Sequence, residues 1–230
     1  TVSTETLKKH YLQFNQNIAV IPNHLCKFIW KEAVPKIKDV KIPKIVYPCS
    51  MNHFALPGKE LSGGDIGPVL MKFIRDTTDK YSWEFIGGLP NELTDLVKSG
   101  AIKQHKWTTV YHYPDFIKSL DADIGIAPLS MNDFNRCKSN IKCLEYAATG
   151  IPGVYTDIDP YSNSMMKAKS EEEFVSNIEK LASDPDLRLK VWEHDYKTVK
   201  NQLFWEDNNN VIEYLNAHLR IFGKELGPLS

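Results

Sequence analysis

The chain has 230 residues, 42% hydrophobic and 25% charged, with a formal net charge of −1. That length holds one large or two small domains with a proper core, and near-neutral charge excludes whole-molecule attraction to nucleic acid or an anionic membrane. No apolar run approaches the ~20 residues of a transmembrane segment.

The chain starts without a methionine, at Thr1-Val2-Ser3-Thr4, which reads as the end of a strand and leads us to expect a piece of a longer protein. Glu5 to Phe14 carries Leu7, Tyr11, Leu12 and Phe14 among polar residues, the pattern of a short amphipathic helix capped by Ser3 or Thr4. Ile18 to Ile21 reads as a short strand ended by Pro22-Asn23. From His24 to Lys41 the pattern blurs, and Pro35, Pro43 and the intervening lysines indicate a surface connector.

Ile45 to Cys49 is the first strand of the main domain, followed by a long loop through Ser50, His53, Pro57, Gly58, Ser62, Gly63 and Gly64. A helix is predicted from about Asp65 to Thr77, with Pro68 near its start and Val69, Leu70, Phe73 and Ile74 on its buried face. Gly63-Gly64-Asp65-Ile66-Gly67 reads equally as a phosphate loop or a plain turn, being neither Gly-x-Gly-x-x-Gly nor a Walker loop. Trp83 to Gly88 is a strand, Glu92 to Ser99 a helix closed by Gly100, Ile102 to Trp107 a strand, and Tyr111 to Leu120 a helix with Pro114 in its first turn. Strands spaced by helices in this way predict a parallel sheet with helices on both faces.

The next unit is the most informative. Ala122 to Leu129 and Pro152 to Thr156 are strands flanking Phe134 to Pro152, a basic loop running into a helix. Helix starts at the carboxyl edge of a parallel sheet favour anions. Arg136, Lys138 and Lys142 put three cations within seven residues, with Ser139 and Asn140 as caps, a set suited to a diphosphate and also to an ordinary solvated turn. Glu145 returns to the helix face of Lys138 and Lys142 amid core-like Leu144, Tyr146, Ala147 and Ala148. A half-buried carboxylate there needs a donor, either a lysine or the diol of a ribose. Beyond Thr156 come a loop at Asp159 to Ser164, an acid-rich helix start at Ser170, and helices to about Ala182, from Pro185 to Leu203 and from Trp205 to Phe222.

Cys26, Cys49, Cys137 and Cys143 form no Cys-x-x-Cys pair, and the seven histidines form no His-x-His or His-Glu-x-x-His. Reduced thiols, no metal site and a cytoplasmic location are the expectation.

Asp121 to Leu129, Phe134-Asn135-Arg136-x-Lys138-Ser139-x-Ile141-Lys142-x-Leu144-Glu145-Tyr146-Ala147-Ala148-x-Gly150-x-Pro152 and Asp159-Pro160-Tyr161 together resemble the donor-binding domain of GT-B glycosyltransferases of the retaining, "group 1" type. The resemblance covers about residues 44 to 220. It implies an α/β class, a Rossmann-like parallel sheet with helices on both faces (one half of a GT-B fold), and a helical C-terminal tail. Residues 1–43 would be the remnant of a largely missing acceptor domain and hinge, 44–222 the nucleotide-sugar-binding domain, and 223–230 a frayed tail. The implied substrate is a nucleoside diphosphate sugar with an unknown acceptor, without cofactor or metal, and the fragment alone would be inactive. Glu145 resembles the family glutamate that binds ribose, and Arg136, Lys138 and Ser139, with Lys142, match the loop near diphosphate and sugar. Ser50 and His53 resemble the loop approaching the donor phosphates, and Trp107 lies where the base is read.

Two departures stand out. The family's second glutamate, eight residues before Glu145, is Cys137 here, leaving Asp133 as the acid at hand. The usual Arg-x-x-x-x-Lys pair is also absent, since Trp83 to Pro90 contains no cation. A sugar-nucleotide epimerase and a non-catalytic domain that retains the fold are the alternatives.

Overall fold

The computed structural model describes residues 1–31, 39–54, 64–207 and 210–219. The middle of the predicted connector, the loop through Pro57, Gly58, Ser62 and Gly63, and the tail after residue 219 lie outside them.

The N-terminal helix α1 (Glu5–Tyr11) is capped by Thr4, whose Oγ1 accepts from the Leu7 N–H, and it buries no residue fully. Ile18 to Ile21 is not a strand: Val20 makes an isolated parallel bridge with Val2, which leaves it outside the sheet. The main domain then alternates strand and helix as far as β4. Strand β1 (Lys44–Cys49) leads through a short 3-10 turn, Met51–His53, to α2 (Pro68–Asp76). There follow β2 (Ser82–Gly87), α3 (Thr94–Lys98), β3 (Lys103–His105), α4 (Tyr113–Ser119) and β4 (Ile124–Ala127). Next come α5 (Asp133–Arg136), α6 (Ile141–Thr149), β5 (Gly153–Thr156), β6 (Lys167–Ala168), α7 (Glu171–Ser183), α8 (Pro185–Leu203) and α9 (Asn210–Leu219).

All strand pairs are parallel, in the order β3-β2-β1-β4-β5-β6. The chain winds outward from β1 to β3, then returns to build from β4, so the crevice between the carboxyl ends of β1 and β4 is the topological switch point. The sheet separates two apolar layers. Val46, Ile86, Ile117, Leu144 and Ala148 belong to one, Ile45, Tyr47, Phe85, Ile126, Leu70 and Ile178 to the other. Alternate residues of β1 supply opposite layers, as the two-residue side-chain period requires.

Helix α6 is fixed at both ends. Gly150 adopts φ +75° after its last turn, and Ile151 N–H closes on the Tyr146 carbonyl at 3.0 Å, a left-handed cap that turns the chain into β5. Across the helix, Tyr146 donates its hydroxyl to the Ile126 carbonyl at 2.7 Å, its ring lying where a Cβ on Gly125 would stand at 2.6 Å. Glycine at 125 thus lets α6 lie close upon β4.

Several predicted boundaries shift. Helix α2 begins at Pro68, three residues after Asp65, and Val69 is exposed because the buried stripe runs through Leu70 and Ile74 in i, i+4 register. The basic loop contains a helical turn of its own, α5, which Asn132 caps by accepting from the Asn135 N–H. Strand β6 falls between the predicted loop, which ends at Ser164, and the predicted helix start at Ser170, in a stretch given no element, because two residues carry no periodic signal. Helix α9 starts at Asn210, five residues after Trp205.

Candidate functional site

Two carboxylates dominate the carboxyl edge of the sheet. Glu145, on α6, is 9% exposed. Lys142, one turn earlier, donates Nζ to Glu145 Oε2 at 2.7 Å, the i, i+3 contact that the spacing predicts. Tyr113, at the start of α4, donates its hydroxyl to the same oxygen at 3.3 Å. Burial first, and the Glu145 charge second, push the Tyr113 phenol well above its ordinary range, so it stays a donor. Both contacts fall on Oε2, and Oε1 carries no described hydrogen bond.

Tyr113 also packs against Trp107, their rings 5.6 Å apart. Trp107 is 48% exposed and lies over Gly87 at the end of β2, where an added Cβ would meet its Nε1 at 2.1 Å. An open indole thus leads through Tyr113 to Glu145.

The second carboxylate is Asp65, read from sequence only as a turn or helix start. It is 8% exposed and sits in the crevice at the switch point. Its Oδ1 accepts from Ser130 N–H at 2.7 Å, Ser130 Oγ at 2.8 Å and Asn135 Nδ2 at 2.8 Å. Its Oδ2 faces His53 Nδ1 at 2.8 Å and Lys138 Nζ at 3.7 Å. Burial pushes the carboxyl up, yet the hydrogen bonds from His53 and Ser130 and the Lys138 charge together hold it below its usual range. Lys138 is lowered by burial against the opposing pull of Asp65. Three segments, after β1, after β4 and before α6, thus meet on one side chain. Cys49, closing β1, lies between the two carboxylate clusters. Burial foremost, then Lys142 lowering and Asp65 raising, leave its thiol pushed up to about 12.

Of the remaining predicted residues, Arg136 and Ser139 have partners outside these clusters, and Ser50 adjoins the Asp65 cluster by accepting the His53 N–H at 3.1 Å. Arg136 pairs with Asp159 at 2.9 Å, and Asp159 also accepts from Thr6. Ser139 accepts from Asn23 Nδ2 at 2.7 Å. Asn140 occupies the cap position of α6 without a side-chain cap bond, because its amide is engaged with Gln202. The predicted capping by Ser139 and Asn140 is therefore not made by their side chains; the Cys143 N–H closes on the Asn140 carbonyl at 2.8 Å, while those of Ile141 and Lys142 make no described hydrogen bond. Ser50 caps the 3-10 turn before His53 without a side-chain hydrogen bond to the helix. Asp133 and Cys137 line a cavity with Leu7, His10, Tyr11 and Phe134, and Cys137 is half-buried.

The glycine run before α2 makes no open phosphate cradle over its described part. Glu171 of α7 takes the N–H groups of Val69 and Leu70 at 2.7 and 2.9 Å, filling the α2 N-terminus with the chain's own anion. Among the described residues no group of three or more His, Cys, Asp or Glu could hold a metal ion. No described helix is long and apolar enough to cross a membrane.

No family model matches the sequence, and no curated protein matches it. Solved structures do match the fold. Sucrose-phosphate synthase from Thermosynechococcus elongatus superposes over 96% of this chain with TM-score 0.62 and 10% identity. Anabaena HepE in complex with UDP and glucose superposes over 97% with TM-score 0.66 and 9% identity. The fold is one half of a GT-B architecture. An O-GlcNAc transferase mutant from Thermobaculum terrenum matches more loosely, over 86% of the chain with TM-score 0.53 and 13% identity. The chain spans 58%, 62% and 39% of these three proteins respectively.

Proposed function

We propose that this chain is the nucleotide-sugar-binding half of a glycosyltransferase that moves a sugar from a nucleoside diphosphate sugar to an acceptor, with retention of configuration. One observation carries the reading: Glu145 is held on one oxygen by Lys142 and Tyr113 beside the uncapped start of α6, with Trp107 exposed on the far side of Tyr113. Glu145 Oε1 would accept from the ribose hydroxyls, the α6 N–H groups and Lys142 would meet the diphosphate, and Trp107 would carry the base. Developing charge on the departing diphosphate would be met by fixed donors and cations of the chain, with no metal. HepE was solved with UDP and glucose, which makes uridine nucleotides the first ligands to try.

The test is calorimetric titration with UDP-, GDP- and ADP-sugars. The wild-type chain should bind at least one, and Glu145→Ala should weaken that ligand about tenfold or more, since the ribose loses its charged acceptor. Unchanged affinity in the variant would remove Glu145 from the site.

A second reading has an observation in its favour. Arg136, Lys138 and Lys142 each face a carboxylate of the same chain, and Cys137 stands where the resembled family has an acid. A domain that holds a nucleotide without transferring a sugar fits both facts. Single-turnover assays with acceptor sugars and a separately supplied partner domain would distinguish it by an absence of transfer despite binding.

A further inference from the structure

Asn140 stands at the cap position of α6 and does not cap it, and the reason lies on another helix. Gln202, in the last turn of α8, donates Nε2 to Asn140 Oδ1 at 3.0 Å and accepts from Asn140 Nδ2 on Oε1 at 3.1 Å. The two amides pair reciprocally, so the oxygen with which an asparagine caps a helix is already taken. The orientation of the pair is set from outside. Gln202 Nε2 also donates to the Asn23 carbonyl at 3.0 Å, and a carbonyl can only accept. Turning the Gln202 amide over would set its oxygen against that carbonyl and against Asn140 Oδ1. The end of α8 is itself fixed to the N-terminal segment, since Leu25 N–H bonds the Leu203 carbonyl and Trp205 N–H the Leu25 carbonyl, both at 2.8 Å.

Backbone and side chain agree. Asn132, which does cap α5, has φ −146° and ψ 165°, the extended conformation of a capping residue, while Asn140 has φ −81° and ψ 27°. The N–H groups of Ile141 and Lys142 make no described hydrogen bond. One turn further along, Glu145 is nine-tenths buried and leaves Oε1 without a described hydrogen bond. Donors for an anion and an acceptor for hydroxyls thus lie open on one helix.

We propose that Gln202 is a positioning residue for a nucleoside diphosphate: by holding the Asn140 amide, it keeps the N-terminus of α6 free for the phosphates. Gln202 itself touches no ligand. The inference rests on the nucleotide-binding reading above and gives the end of α8 a part in that site. With Gln202 removed, Asn140 is released to cap α6 by accepting from the N–H of Lys142 or Cys143, and a phosphate must displace that oxygen to bind.

The experiment is calorimetry with UDP, ADP and GDP and the corresponding nucleosides on wild type, Gln202→Ala and the double variant Gln202→Ala/Asn140→Ala. Gln202→Ala should weaken the diphosphate that the wild type binds about fivefold and leave its nucleoside within about twofold. The double variant, with no side chain left to cap α6, should recover diphosphate affinity to within about twofold of wild type. A double variant as weak as Gln202→Ala overturns the proposal, because a merely structural glutamine is not rescued by a second deletion. Amide hydrogen exchange on the ligand-free protein gives an independent readout. Exchange at Lys142 or Cys143 should slow about fivefold in Gln202→Ala and return to the wild-type rate in the double variant, and unchanged exchange in Gln202→Ala also overturns the proposal. Gln202→Met, which keeps the length of the side chain without its amide, takes the place of Gln202→Ala if thermal melting shows the latter unfolded. If diphosphates bind and the rescue fails, this inference fails alone. If the wild type binds no diphosphate, the nucleotide reading fails and the role of Gln202 toward that ligand fails with it.

Discussion

Glu145 and Asp65 are two buried carboxylates at the same edge of one sheet, and their surroundings are opposite. Asp65 has both oxygens occupied by donors from three segments, whereas Glu145 has both of its described partners on one oxygen. A saturated carboxylate holds structure together, because removing it strands several buried donors at once. A carboxylate with one open oxygen is arranged to receive something else. In the proposed site, Asp65 would build the structure and Glu145 would meet the ligand.

The sharpest way to break that contrast is to delete each acid. Asp65→Ala should destabilise the fold by about 3 kcal/mol in urea unfolding, since Asn135, Ser130 and His53 lose their acceptor together. Glu145→Ala should lose less, about 2 kcal/mol, while abolishing most nucleotide affinity. Equal losses of stability would erase the distinction.

Acid titration sharpens it next. The Asp65 carboxyl is depressed in the folded state, so its stabilisation is fully present above the unfolded value near 3.9 and is lost as pH falls through the folded value. As pH falls below about 4 the wild type should therefore lose more stability than Asp65→Asn does, as read from chemical denaturation at each pH.

Tyr113→Phe probes the other pole. Losing one hydroxyl donor to Glu145 should lower stability by about 1 kcal/mol and weaken nucleotide binding a few-fold, with Trp107 packing retained.

The smallest effect concerns a third acid, Asp195 on α8. It is 4% exposed, accepts from Met165 N–H at 2.8 Å on Oδ1, and leaves Oδ2 without a hydrogen-bond partner. Burial raises its carboxyl against the pull of that bond and of His194. Its ionised form thus opposes folding at neutral pH, the reverse of Asp65. Asp195→Asn should raise stability at pH 7 by up to about 1 kcal/mol, shrinking as pH falls through the raised value of the wild-type acid.

The sequence reveals these two poles unequally, for a physical reason. Lys142 and Glu145 lie three residues apart on one helix, so their pairing follows from helical geometry alone. The alternation of strand and helix is local in the same sense, and it reveals the doubly wound sheet. Asp65 draws its donors from His53, Ser130, Asn135 and Lys138, which the topology brings together only after β1 and β4 pair. No spacing rule links such positions. The glycine-rich run around Asp65 is the one available signal, and it reads equally as a phosphate loop or a plain turn. Arg136 shows the converse: proximity in sequence groups it with the other cations, and a long-range partner, Asp159, is what it pairs with in the fold.

Trp107 also has a spectroscopic consequence. The chain has five tryptophans, and Trp107 is the exposed one, with Trp83 and Trp30 deep in the core and Trp192 and Trp205 half-covered. Its fluorescence should form the red edge of the emission and the fraction most readily quenched by acrylamide. A purine or pyrimidine laid on that indole would dim this component and leave the core tryptophans unchanged, so in the proposed site Trp107 would serve as an optical gauge of occupancy.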